Sequence, residues 1–203
     1  MEAKEKMLLQ QKLLRTQMEP HFIFNTLSSL QSFIRFEEKE KSIKYLHLFS
    51  KLLRSSLEMS RNDYISLEDE VGAIKNYLVL QQMRHNYNFE FDILITDELF
   101  GVLIPPMLIQ PFVENAVIHG VTSLKGKGEI HIRIDLDNDF VTVAVLDNGK
   151  GANKPSGHTS LSGSIAKERM ELLFKETSQK GTIQITQTSK SYLVVLQIPY
   201  KAE

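Results

Sequence analysis

The chain has 203 residues, enough for one large domain or two small ones at roughly 150 residues per domain, and 42% of them are aliphatic, aromatic or Met, which supports a real core and excludes a disordered tail. Lys and Arg (24) nearly cancel Asp and Glu (25), so the basic footprint of a duplex-binding module is missing. The absence of Cys excludes disulfides, Cys-ligated zinc, iron–sulfur clusters and thiol nucleophiles. The longest apolar stretch, Val102 to Ile109, is interrupted by Pro105 and Pro106 and falls far short of a membrane span, and the charged start from Glu2 to Lys6 does not read as a signal peptide. The expected setting is a reducing aqueous compartment.

The pattern predicts one long helix over residues 3–35 and a second over 40–60, joined by the charged turn Glu37-Glu38-Lys39-Glu40. In the second helix Leu46, Phe49, Leu53 and Leu57 form one stripe, and Tyr45, Leu48 and Leu52 a neighbouring one. Two adjacent stripes require burial on more than one side, and a hairpin that pairs with a second copy into a four-helix bundle supplies it. The first helix carries Gln17-Met18-Glu19-Pro20-His21-Phe22-Ile23-Phe24-Asn25. At ~100° per residue, Asn25, Ser28 and Ser32 fall within about 40° of His21, whereas Ile23, Leu27, Leu30 and Ile34 cluster on the opposite face. Pro20 is expected to kink the helix just before the histidine. His21 reads either as a solvated surface residue or as a nucleophile toward phosphorus, since a neutral exposed imidazole is competent near pH 7. In the second case Glu19 could accept the displaced proton or orient the ring.

Arg61-Asn62-Asp63 ends the helical region, dividing the chain into a hairpin (1–62) and a second domain (63–203). Ser66 is the expected N-cap of a helix running to about Arg84, with Glu68, Asp69 and Glu70 in its first turn complementing the helix dipole. Phe89, Phe91, Ile93 and Ile95 alternate as a strand, and Pro105-Pro106 is expected to open a helix through Ile118. Within that helix Asn115 and His119 share a face at i, i+4, and Glu114 adds a carboxylate. Oxygen donors of this kind suit Mg²⁺ bound to phosphates, although a capped, partly exposed helix end with Gly120 as its C-cap gives the same pattern. Ile130 to Leu136 and Val141 to Val145 alternate as a hairpin across Asp137-Asn138-Asp139. Asp147-Asn148-Gly149-Lys150-Gly151 then places a carboxylate at a strand end, where it can accept from an exocyclic amine, followed by glycines that permit close approach of backbone to a ligand. A loop follows to about Ser164, a helix over 164–174, and strands over 182–188 and 192–199. The predicted class is α+β, with helices layered on a mixed, mostly antiparallel sheet.

The order of these three segments resembles the LytS/YehU-like sensor histidine kinases from about Leu14 onward. Pro20-His21-Phe22-Ile23-Phe24-Asn25 matches that family's phospho-acceptor core, Ile104 to Gly120 its N box, and Asp147, Gly149 and Gly151 the G1 box of the GHKL (Bergerat) ATP-binding fold. Leu67, Glu70, Asn76-Tyr77-Leu78 and Arg84 resemble the helix that opens its ATP-binding domain. The resemblance implies an ATP- and Mg²⁺-dependent histidine kinase. His21 would accept the phosphoryl group with Glu19 and Asn25 assisting. Asn115 would ligate Mg²⁺, Glu114 and His119 would line the triphosphate, and Asp147 would read the adenine amine. The Asp147-x-Gly149-x-Gly151 turn would complete the nucleotide site, together with Arg169. It further implies a homodimer, transfer to an aspartate of a response regulator, and a cytoplasmic core attached in the full-length protein to the inner membrane. Two departures stand out: Ser160-Leu161-Ser162-Gly163-Ser164-Ile165 replaces the usual glycine-rich box, and Ile118 stands where many relatives carry Lys. A non-catalytic dimeric scaffold that docks a regulator is the alternative these departures raise.

Overall fold

The computed structural model describes residues 20–95, 101–124, 126–137, 140–149, 168, 170–171 and 180–202. Residues 3–19 of the helix expected over 3–35, on whose course the expected kink before His21 depends, lie outside them, as do the loop from Lys150 and most of the helix over 164–174.

Helix α1 (Pro20–Arg35) and helix α2 (Lys39–Met59) form the expected hairpin. Glu37 turns the chain at φ 60°, and the N–H groups of Glu38 and Glu37 donate to the carbonyls of Phe33 (2.9 Å) and Ile34 (3.1 Å). That pair of bonds is a Schellman ending, built here without glycine. Across the hairpin the Phe33 and Tyr45 rings meet edge-on at 5.2 Å.

A short strand, β1 (Ile65–Ser66), leads into α3 (Leu67–Arg84), capped as expected by the Ser66 hydroxyl, which accepts from the Asp69 N–H at 3.1 Å. Helix α3 is buried on several sides, and this changes how the hairpin is covered. Leu80 and Met83 of α3 close the core formed by Phe33, Tyr45 and Phe49. The stripe through Tyr45, Leu48 and Leu52 is therefore covered within one chain, while the stripe through Leu46, Phe49, Leu53 and Leu57 is split: Phe49 is buried and Leu53 half-buried, and Leu46 and Leu57 are left 48% and 42% exposed. On α1 the split is similar. Thr26 and Phe33 are buried and Ile23 and Leu30 half-buried, whereas Leu27, expected to share the inner face, is open along with Ile34 and Phe24.

The second part is a five-stranded sheet in the order β2-β4-β5-β7-β6, comprising β2 (Phe89–Ile95), β4 (Gly128–Asp137), β5 (Phe140–Asp147), β6 (Thr182–Gln187) and β7 (Tyr192–Pro199). Strand β2 runs parallel to β4 and every other pairing is antiparallel. One face, with Ile130, Ile132, Ile134, Val141, Val143, Val145, Val194 and Leu196, packs against α3 and the segment after Ile104. Leu52 of the hairpin belongs to this core and Phe22 packs against it, so apolar packing continues across the expected boundary near residue 62.

The segment expected to be one helix from Pro105 is built differently. Strand β3 (Val102–Ile104) pairs with β1 on one side and with β8 (Lys201–Ala202) on the other, a small sheet that the sequence did not announce. A turn follows, with Met107 at φ 61°, and helix α4 begins only at Gln110. The two prolines bias the residue before each of them to extended backbone and have no N–H to give a sheet ladder. Helix α4 (Gln110–Asn115) continues as a π turn over Ala116–Gly120 and a 3₁₀ turn over Val121–Ser123.

The N-cap of α3 gives a direct check on this architecture. Ser66→Ala should lower stability by about 1 kcal/mol, read as a smaller urea midpoint at unchanged slope, because only the bond to Asp69 is removed.

Candidate functional site

His21 lies in the first described turn of α1, with Asn25 one turn later. The Asn25 backbone carbonyl accepts from the Ser29 hydroxyl at 3.0 Å. Glu19 lies outside the described residues, as does the His21 side chain. The neighbouring Phe22 is more informative, since its ring lies 6.2 Å from Phe49 and 6.2 Å from Tyr77 of α3. The candidate phospho-acceptor helix is thus packed directly on the helix that opens the second domain.

Tyr77 in turn borders the N-box segment. Burial pushes its phenol well above the ordinary value, and the Glu114 carboxylate adds to the effect while Arg84 opposes it. Glu114 is half-buried and accepts a 2.8 Å hydrogen bond from the Gln110 side-chain amide. Asn115 closes the α-helical part, half-buried, and His119 is exposed inside the π turn. A π turn widens the helix locally and is a recurrent feature of functional sites. Ile118 is 55% exposed, so the position where relatives carry Lys does face outward.

Asp147 ends β5, paired with Ile130 on one side and Tyr192 on the other, and is 2% exposed. Its Oδ1 accepts the Gly149 N–H at 2.9 Å, and burial pushes its carboxyl up to about 7, with the Gly149 bond pulling the other way. Tyr192 is raised by burial and by this same carboxylate. Asn148 pins the turn, accepting from the Glu129 N–H at 2.8 Å and donating to the Lys127 carbonyl at 3.2 Å.

Two glycines also serve packing within the chain. A Cβ on Gly149 would lie 2.5 Å from the Gly120 Cα, and a Cβ on Gly120 would lie 2.4 Å from Asp147 Oδ1. Both glycines let the end of the N-box segment touch the end of β5, leaving the Asp147 carboxylate where these two segments meet. Gly120 is accordingly not a left-handed C-cap; the helix runs on into the 3₁₀ turn. The structure therefore brings Gly120, Asp147 and Gly149 together, places Glu114, Asn115 and His119 along the segment that Gly120 ends, and leaves Gly151, Arg169 and Ser160 to Ile165 outside the described residues. Beside Asn115 and Glu114 as oxygen donors, the buried strand-end carboxylate gives a set that fits an adenine nucleotide with Mg²⁺.

Glu70, expected in the first turn of α3 as a complement to its dipole, is completely buried. Its Oε2 accepts the Met107 N–H at 2.7 Å, and its Oε1 accepts those of Ile109 (3.2 Å) and Gln110 (3.4 Å). The separation of 37 to 40 residues explains why no local pattern reveals it.

The raised Asp147 carboxyl makes stability depend on pH. The folded chain holds a proton that the unfolded chain has released between the ordinary carboxylate value of 3.8 and about 7. Stability is therefore lost as pH rises through that window, by up to about 1.4 kcal/mol per pH unit. Asp147→Asn should flatten this dependence between pH 5 and 7.5 in urea unfolding, and an unchanged slope would refute the assignment.

A histidine kinase family model matches residues 9–89, which include the His21 segment, the hairpin and all of α3. Among curated proteins, the sensor protein LytS of Staphylococcus saprophyticus is 33% identical over 93% of this chain and 33% of its own length. The sensor histidine kinase/phosphatase LytS of Staphylococcus aureus is 31% identical over 95% of this chain and 34% of its own. The chain thus spans about a third of the length of these relatives. The fold is shared with the histidine kinase domain of the blue-light activated histidine kinase of Erythrobacter litoralis EL346, with a TM-score of 0.52 at 12% identity over 97% of this chain and 94% of that one. It is also shared with the Acinetobacter baumannii histidine kinase AdeS, with a TM-score of 0.51 at 13% identity over 91% of this chain and 97% of that one. The His21 segment thus lies inside a region that matches the histidine kinase family, and the chain is similar to LytS sensor proteins over nearly its whole length.

Proposed function

We propose that this chain is the kinase core of a two-component sensor. It would autophosphorylate His21 from Mg·ATP and pass the phosphoryl group to an aspartate of a separate response regulator. The observation that carries this reading is the contact between Gly120 and Gly149, which sets the Asp147 carboxylate against the end of the segment holding Glu114, Asn115 and His119. A buried acceptor at that point suits the exocyclic amine of adenine, and the polar groups of the N-box segment suit the phosphates.

In this reading the His21 imidazole attacks the γ-phosphorus. An N–P bond forms, the P–O bond to ADP breaks, and the imidazole proton leaves to a carboxylate for which Glu19 is the candidate. Asn25, one turn away, orients the ring. Asn115 would hold Mg²⁺, which would supply charge neutralisation at the phosphates. The chain's own contribution is mainly positioning and charge complementarity, which dominate phosphoryl transfer. The packing of Phe22 on Tyr77 supports a mechanical link between the acceptor helix and the nucleotide site.

The open side of the hairpin supports a homodimer. Phe24, Leu27, Ile34, Ile43, Leu46 and Leu57 are 67%, 43%, 62%, 60%, 48% and 42% exposed. Each is worth ~1.5–3 kcal/mol when removed from water, and monomers rarely leave so many together. Among the described residues no helix is long and apolar enough to cross a membrane. With only a third of its relatives' length present, the chain fits the cytoplasmic core of a membrane-anchored sensor.

Incubation with γ-labelled ATP should give acid-labile, base-stable phosphate that His21→Gln abolishes; label that survives the substitution refutes the assignment. Asp147→Asn and Asn115→Ala should each weaken Mg·ATP binding in calorimetry at least tenfold, as expected when a buried, charge-assisted contact or a metal ligand is lost (roughly 1.5–3 kcal/mol). Unchanged binding would favour the scaffold alternative. Sedimentation equilibrium should find a dimer at micromolar concentration that Leu57→Asp shifts toward monomer.

A further inference from the structure

The first turns of α3 lie far in sequence from the N box, yet they hold its entrance. Glu70 sits one turn inside α3 with its carboxylate fully buried. Both of its oxygens are committed to the backbone of residues 107–110, through the N–H groups of Met107, Ile109 and Gln110. Those donors surround the start of α4, where the first N–H groups of a helix have no partner of their own. The carboxylate thus acts as an N-cap supplied from another helix, for an entry whose own cap position, Ile109, has no side-chain hydrogen bond to offer.

Two further observations show that the entrance needs such an anchor. Met107 is held at φ 61°, a left-handed backbone that a long side chain adopts at a cost. Its N–H makes the shortest of the three bonds to Glu70, at 2.7 Å. Gln110 is 4% exposed and its side-chain carbonyl has no hydrogen-bond partner among the described residues, so its position is imposed rather than chosen by its own polar groups. Yet Gln110 is the residue whose amide holds Glu114.

We propose that Glu70 is a positioning residue for the metal–nucleotide site: by fixing the backbone at Met107, Ile109 and Gln110 it sets the start of α4, and through the Gln110 to Glu114 bond it sets where Glu114 and the adjoining Asn115 stand. This rests on the reading of Asn115 as the Mg²⁺ ligand. The adenine end of the site is held separately, because Asp147 is fixed by the pairing of β5 with its neighbours and by the Gly149 N–H. Losing Glu70 should therefore separate two parts of one binding reaction. The metal-dependent part weakens and the adenine-dependent part remains.

The test compares ADP affinity with excess Mg²⁺ and with chelator, by calorimetry on the whole chain at a temperature where each variant is folded. Glu70→Gln keeps the volume but turns an amide NH₂ toward backbone N–H groups. It should reduce the affinity gained from Mg²⁺ about tenfold, while ADP affinity in chelator stays within about twofold. Glu70→Asp keeps the charge on a shorter arm and should give an intermediate loss, which also serves if the glutamine variant does not fold. Ser66→Ala destabilises the start of the same helix without touching the N box, and should leave both affinities unchanged. The inference is overturned if both Glu70 variants keep the full gain from Mg²⁺, or if Ser66→Ala loses it equally. A wild-type chain whose ADP affinity ignores Mg²⁺ overturns the reading of Asn115 itself, and this inference with it.

Discussion

The burial of α3 is the constraint on which the rest of this structure depends. An 18-residue helix with Leu67, Ala73, Ile74, Tyr77, Leu78, Leu80 and Met83 all buried has no single apolar stripe to hide. It must be enclosed, and two different partners enclose it. The hairpin covers the side that carries Leu80 and Met83, and the sheet with the N-box segment covers the side that carries Ile74 and Leu78. Tyr77 stands between them, touching Phe22 on one side and sensing Glu114 on the other. A close-packed interior transmits displacement rather than absorbing it, so a shift of the hairpin must either move α3 against the N-box segment or break an interface.

The polar anchoring of the same helix follows the same logic. A carboxylate in an apolar interior is expensive unless its lone pairs are met. Three backbone donors from one tight turn meet those of Glu70. The turn benefits equally, since without an external acceptor its N–H groups would be buried unpaired. Neither half of this arrangement is stable alone, which is why a strained residue at Met107 can persist there.

Much of the architecture was legible in the chain because it is periodic. The alternation of Ile130, Ile132 and Ile134 gave β4, the Asp137-Asn138-Asp139 turn gave the hairpin to β5, and Ser66 gave the start of α3 to the residue. Failures fell where a distant partner decided the outcome. Glu70 sits in a helix first turn, where a surface acid is the default, and only the 107–110 backbone turns it inward. The same contact, with the two prolines, moved the start of α4 from the expected Pro105 to Gln110. The small sheet of β1, β3 and β8 joins strands of two or three residues, too short for any alternation to show. At the candidate site the residue types were readable, because Asn115, His119, Asp147 and Gly149 form recognisable patterns. Their mutual geometry was not, since the closeness of Gly120 to Gly149 is a tertiary fact.

That closeness also decides how the glycines and the aspartate act together. A strand-end carboxylate normally escapes to water and stays ionised. Asp147 cannot, because Gly120 and Gly149 bring backbone so near that the space a solvent shell would occupy is taken by protein. Among the described residues the Gly149 N–H donates to it, and burial outweighs that bond, raising the carboxyl to about 7. A ligand that donates a hydrogen bond to this carboxylate supplies what the fold withholds and favours its ionised form. The same burial that costs stability as pH rises toward 7 therefore raises the value of such a donor, and a side chain any larger than glycine at position 120 or 149 would weaken both effects at once by prising the two segments apart.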